Sequence, residues 1–100
     1  MKRVCPRCQQ DYLSNCEIIA INKQVLICGE CEALFLDFEP IKRGATGFYY
    51  LSVDSKVGLD KKMEGPGGVA RGYGMREYLE SQGLEPTWDS IKIIEEIADI

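Results

Sequence analysis

Two Cys-x-x-Cys pairs, Cys5-Pro-Arg-Cys8 and Cys28-Gly-Glu-Cys31, stand nineteen residues apart in a 100-residue chain that contains no histidine. Two thiolates spaced this way on a tight turn grip one ion from the same side, and a second such turn completes a tetrahedron. The spacing predicts one Zn²⁺ held by Cys5, Cys8, Cys28 and Cys31, with Zn–S distances of about 2.3 Å. Four protein ligands leave no open position for water, so the site reads as structural rather than catalytic. A rubredoxin-like iron centre and two separate redox or disulfide couples are the alternatives. The second lacks the βαβ surroundings of a thioredoxin-type motif.

The segment between the pairs predicts a hairpin. Cys16–Ile21 and Gln24–Ile27 are rich in β-branched residues. Asn22-Lys23 between them fits a two-residue turn, because Asn tolerates positive φ. That turn sets Glu17 opposite Cys28 and returns the chain from the first cysteine turn to the second. Ala33–Phe38 reads as a third strand ended by Pro40 and Lys42-Arg43-Gly44. A three-stranded zinc ribbon over residues 1–39 follows. Gln9 and Glu32 stand after the second Cys of each pair, where Gly is common. Cys16, the fifth cysteine, falls at the end of the hairpin away from its turn and therefore near the metal. It reads as a small buried hydrophobe, since a nucleophile needs an activating base and there is no histidine to supply one.

The rest of the chain, 47–100, completes a single domain over residues 1–100. Gly47–Val53 looks like a strand, and 56–62 has no clean period. Residues 65–70 match GxGxxA, but Pro66 and the lack of room for a βαβ unit argue against a dinucleotide fingerprint. The glycine-rich run 64–74 reads as a loop. Met75–Gln82 predicts a short helix stopped by Gly83 at C′, with Leu84 reaching back to Leu79. Thr87 then caps a second helix whose stripe of Trp88, Ile91, Ile94 and Ala98, widened by Ile93 and Ile97, would cover the small sheet. The fold class expected is α+β: a small antiparallel sheet on a four-cysteine zinc ribbon, with C-terminal helices packed on it.

Charge narrows the function. Apolar residues make up 45% of the chain and charged residues 28%, an ordinary globular balance. No apolar run reaches the roughly 20 residues of a membrane helix. The start has no apolar leader, and the cysteines suit a reducing compartment, so the expected location is the cytoplasm. The net charge is −4, and a zinc tetrathiolate adds about −2. From Glu77 onward seven acids face Lys92 alone. An acidic surface repels phosphate and attracts a basic protein. Lys2, Arg3 and Arg7 near the first cysteine pair, with Lys42, are the residues a nucleic-acid-binding alternative would use.

The CPRC and CGECEALF segments, the hairpin between them, and the ending Tyr78-Leu…Gly83-Leu…Pro86…Trp88 resemble a family of small bacterial zinc-ribbon proteins. Small acidic proteins of similar build act as immunity proteins in contact-dependent growth inhibition. The resemblance implies a non-enzymatic protein that binds and blocks a nuclease toxin domain, and it carries over only the four paired cysteines. Glu77, Glu80, Glu85 and Glu96 are the candidate partner-binding residues. The alternative is a nucleic-acid-binding or transcription-associated zinc ribbon.

Overall fold

A computed structural model describes residues 2–51 and 67–100 of the chain. These residues form a mixed α+β fold. Its elements are β1 Leu13–Ile18, β2 Lys23–Cys28, β3 Ala33–Phe35, α1 Phe38–Lys42, β4 Gly47–Tyr50, β5 Val69–Gly74, α2 Met75–Ser81 and β6 Ile91–Glu95. The six strands make one sheet in the order β4-β5-β3-β2-β1-β6. Every neighbouring pair is antiparallel except β4 and β5, which run parallel. The sheet is therefore mixed rather than antiparallel throughout.

The hairpin forms, with a different register from the one expected. Ile19–Ile21 make a 3-10 turn that ends at Asn22, whose φ of 50° is left-handed as its side chain permits. Glu17 consequently pairs with Gln24, and Cys28 pairs with Leu13. Sequence alone predicts strand to the end of the isoleucine run. Strand propensity cannot separate Ile18, which is buried, from Ile19 and Ile21, which are exposed in the turn.

β3 stops three residues short of Phe38. Asp37 accepts a hydrogen bond from the Glu39 amide at 3.1 Å and caps α1. Pro40 lies inside the first turn of that helix, where its missing N–H costs no hydrogen bond. Residues 52 and 53 of the expected strand 47–53 lie outside the described residues, as do 56–62 and 64–66.

The glycine-rich composition of 64–74 predicts a loop, yet residues 69–74 are β5. Its small residues serve contact: a Cβ on Gly72 would stand 2.9 Å from Cε1 of Phe48 and 3.0 Å from Cε2 of Phe35. Those two rings meet edge to face at 5.7 Å and fill the space a side chain would need. Entering a strand here, the GxGxxA match does not open a helix.

The C-terminus holds the largest correction. α2 ends as anticipated: Gly83 has φ 76°, and the Leu84 amide donates to the Leu79 carbonyl at 3.0 Å. Thr87 accepts from the Asp89 amide at 3.3 Å. The expected second helix, however, is a 3-10 turn over Trp88–Ser90 followed by β6. In β6, Ile91 lies opposite Ile18 and Lys92 opposite Glu17, a pairing that a period-2 reading satisfies. The apolar stripe divides accordingly. Ile91 and Ala98 are buried, whereas Ile93, Ile94 and Ile97 are exposed.

Alternation along the strands creates two half-cores, one on each face of the sheet. Leu13, Leu26, Cys28, Ala33 and Phe35 face one side together with Ile41 of α1 and Phe48 of β4. Cys16, Ile18, Val25, Ile27 and Leu34 face the other, under Met75 and Leu79 of α2 and Trp88.

Candidate metal centre

The two cysteine turns are built alike. In each, an amide four residues on from the first cysteine donates to that cysteine's carbonyl: Gln9 to Cys5 and Glu32 to Cys28, both at 2.9 Å. Both donors adopt left-handed backbone, φ 56° at Gln9 and 60° at Glu32. This is where Gly normally removes a cost of about 1–2 kcal/mol. Each turn also aims a backbone N–H at its first sulfur. Arg7 donates to Cys5 Sγ at 3.4 Å, and Cys31 donates to Cys28 Sγ at 3.5 Å. Such bonds favour the thiolate over the thiol.

β2 delivers Cys28 at its end, and the Leu13–Cys28 pairing carries the first turn alongside the second. The four sulfurs, Cys5, Cys8, Cys28 and Cys31, then lie within 4.8 Å of one another. Cys5 and Cys31 stand 3.7 Å apart, and Cys8 and Cys28 stand 3.5 Å apart. A tetrahedron with metal–sulfur bonds of about 2.3 Å has edges of about 3.8 Å. Both distances greatly exceed a disulfide bond of about 2.05 Å. All five cysteines are free. The donor set thus fits a closed four-coordinate soft metal ion. The contact between Cys5 and Cys31 holds Cys31 below its ordinary value and pushes Cys5 up. Burial pushes Cys28 up to about 11. A cation at the centre would displace these protons.

Cys16 stays apart from this group. It pairs with Val25 and packs in the α2-side core, on the opposite face of the sheet from the four thiols. Its expected nearness to the metal is thereby corrected. Strand alternation, not distance along the hairpin, decides the face.

Glu32 has a second role that its sequence position disguised. Its carboxylate accepts from Arg76 Nε at 2.9 Å and Nη2 at 3.1 Å, and from Trp88 Nε1 at 3.0 Å. Arg76 also donates to the Pro86 carbonyl at 2.9 Å. One residue beside the second cysteine turn therefore clasps α2 and the C-terminal turn. The Arg76 guanidinium holds the Glu32 carboxyl below its ordinary value. The only sequence signal was a non-glycine residue at a glycine position.

The proposed partner-binding acids occupy separate elements. Glu80 is exposed on α2, Glu85 on the following loop and Glu96 just beyond β6. Glu77 is half-buried and accepts from the Tyr50 hydroxyl at 3.1 Å. Of the cations, Arg3 donates from Nη2 to the Lys42 carbonyl at 2.6 Å, which joins the N-terminal pair Lys2-Arg3 to Lys42. Arg7 instead lies over the rings of Phe48 and Tyr50, 5.7 and 5.2 Å from their centroids. None of the helices among the described residues is long and apolar enough to cross a membrane. No protein-family model, curated protein or solved structure matches the chain, and what stands of the zinc-ribbon resemblance is the four-cysteine group itself.

Proposed function

We propose that the chain is a non-enzymatic binding protein organised by a structural zinc ion, and that it acts as an immunity protein that blocks a basic nuclease toxin domain. The observation that carries this reading is the closed set of four thiols. Its geometry suits Zn²⁺, which when bound would cross-link the two cysteine turns while offering no coordination position for a substrate. The residues around it hold ligands and pack elements together. With no histidine in the chain, the commonest general base is missing. The acidic excess after Glu77 supplies the attraction for a cationic nucleic-acid groove, and complementary charge speeds encounter.

Co-expression with a toxin domain encoded beside this gene tests the reading, with growth as the readout. Protection is the expected result. Failure to protect, together with tight nucleic-acid binding at physiological salt, would replace it by the second reading. That reading, a nucleic-acid-binding zinc ribbon, is favoured by one observation. Lys2 and Arg3 line a cavity of about 440 Å³ together with Gly44 and Thr46, and Arg3 ties it to Lys42.

A further inference from the structure

β6 ends the sheet. It is hydrogen-bonded to β1 on one side, and among the described residues no strand pairs with its other side. An edge of this kind presents unpaired backbone donors and acceptors, which natural proteins usually shield with lysines, prolines or short length. β6 is short and carries Lys92, but it also leaves Ile93 at 49% and Ile94 at 44% exposed, with Ile97 at 42% just beyond its end. A register irregularity opposite Asn15 and Cys16 falls at Ile94. It leaves Ile94 unpaired and out of the regular alternation. Glu95 and Glu96 stand beside these isoleucines, both exposed, against the single cation Lys92.

Resting on the binding-protein reading above, we infer that the β6 edge is the docking strand, and that its occupant is an extended, basic, apolar-alternating segment of the partner protein, added as a further strand. Main-chain hydrogen bonds supply the affinity of such an addition, and alternate side chains supply the choice of partner. Apolar residues of the incoming strand cover the isoleucines. Its lysines or arginines meet Glu95 and Glu96. Nucleic acid is excluded from this edge by the same carboxylates. Two carboxylates against one ammonium leave this end of the strand net acidic, which favours a basic partner; a second copy, which could set Lys92 opposite Glu95, is the competing occupant.

The probe is a short acetylated peptide alternating valine and lysine, with a control carrying glutamate in place of lysine. Each is titrated into the zinc-loaded full chain while backbone amide signals are followed. The lysine peptide is expected to perturb residues 91–97 and slow their amide exchange, and the glutamate peptide to leave them unchanged. Ile94→Lys and Glu96→Lys, both at exposed positions, each weaken peptide binding by about tenfold or more, and the Glu96→Lys effect shrinks at high salt. Unchanged metal content and Trp88 emission show that each variant is folded.

Several results would overturn the inference: no binding, equal binding of the glutamate peptide, or perturbation centred on Arg3 and Lys42. Concentration-dependent dimerisation that buries β6 and resists the lysine peptide would make a second copy the occupant. The immunity reading fails or stands separately. If both edge variants protect fully against the toxin, the docking strand is wrong and the function survives. If the lysine peptide binds β6 but no neighbouring toxin is neutralised, the edge stands and the function falls.

Discussion

Cys16 and Glu32 show how one side chain's surroundings set its chemistry. Cys16 is fully buried among apolar groups, and that burial pushes its thiol up to about 11 from an ordinary 9.0. The folded state keeps the proton longer than the unfolded chain. Cys16 therefore costs no stability below pH 9, and stability falls as pH rises from 9 towards 11. At pH 8 the zinc-loaded protein is expected to resist alkylation at Cys16, and the denatured chain to react at all five cysteines, which mass spectrometry of labelled peptides would check. Cys16→Ser should retain the metal and cost about 1–3 kcal/mol in urea unfolding, because a hydroxyl is buried where the thiol packed. Glu32 behaves oppositely. Its hydrogen bond from Arg76 lowers its carboxyl value, so its contribution is present above the ordinary 4.5 and disappears as pH falls through the folded value. Half of the Arg76 side chain is exposed, so solvent screens the pair and keeps that contribution small. Glu32→Gln should shift Trp88 emission without loss of metal, and its stability difference from the parent should vanish in acid.

Among the elements, β5 and β6 are the two that local signals misplace. β5 is a strand because Gly72 lets Phe35 and Phe48 meet across it. Gly72→Ala should cost about 1–3 kcal/mol, since the added methyl stands within contact of two rings and the Leu34 carbonyl and the core must shift to admit it. Urea unfolding of the zinc-loaded variant measures this, and a neutral result would mean that the rings move freely. β6 takes its place through Ile18 and Glu17 on β1, partners that lie more than seventy residues away in sequence. The segment from Trp88 to Ala98 could present one apolar stripe as a helix, and pairing of Ile91–Glu95 with β1 selects the strand instead.

At the scale of the whole molecule, the sheet separates two half-cores that share the same three central strands. The thiols belong to one, and α2 with Trp88 belongs to the other. Glu32 links them beside the second cysteine turn. Metal removal by a strong chelator should therefore change both faces together: loss of the near-ultraviolet signal and of Trp88's folded emission in one transition. Structural zinc contributes about 10–16 kcal/mol in small metal-dependent domains, against a total stability of roughly 5–15 kcal/mol for a protein of ordinary size. Cys5→Ser should reproduce the effect. Retention of a native spectrum after chelation would show that the apolar half-cores suffice alone.

The cysteine spacing by itself determined the four-thiol group, because two turns of fixed chemistry need only a hairpin between them to meet. Local rules also determined α2 and its stop at Gly83, and the caps at Thr87 and the left-handed Asn22, since each depends on neighbours within a few residues. Tertiary structure alone decided the rest. The register that sets Leu13 opposite Cys28 comes from which isoleucines the two half-cores can bury. The face on which Cys16 lies follows from that register. Glu32, Arg76 and Trp88 meet across 44 and 56 residues, a distance at which no periodicity in the chain reports contact. The sheet edge at β6 exists because β1 had a free side and Ile91-Lys92 matched Ile18 and Glu17 there, a complementarity that is visible only once both strands are in place.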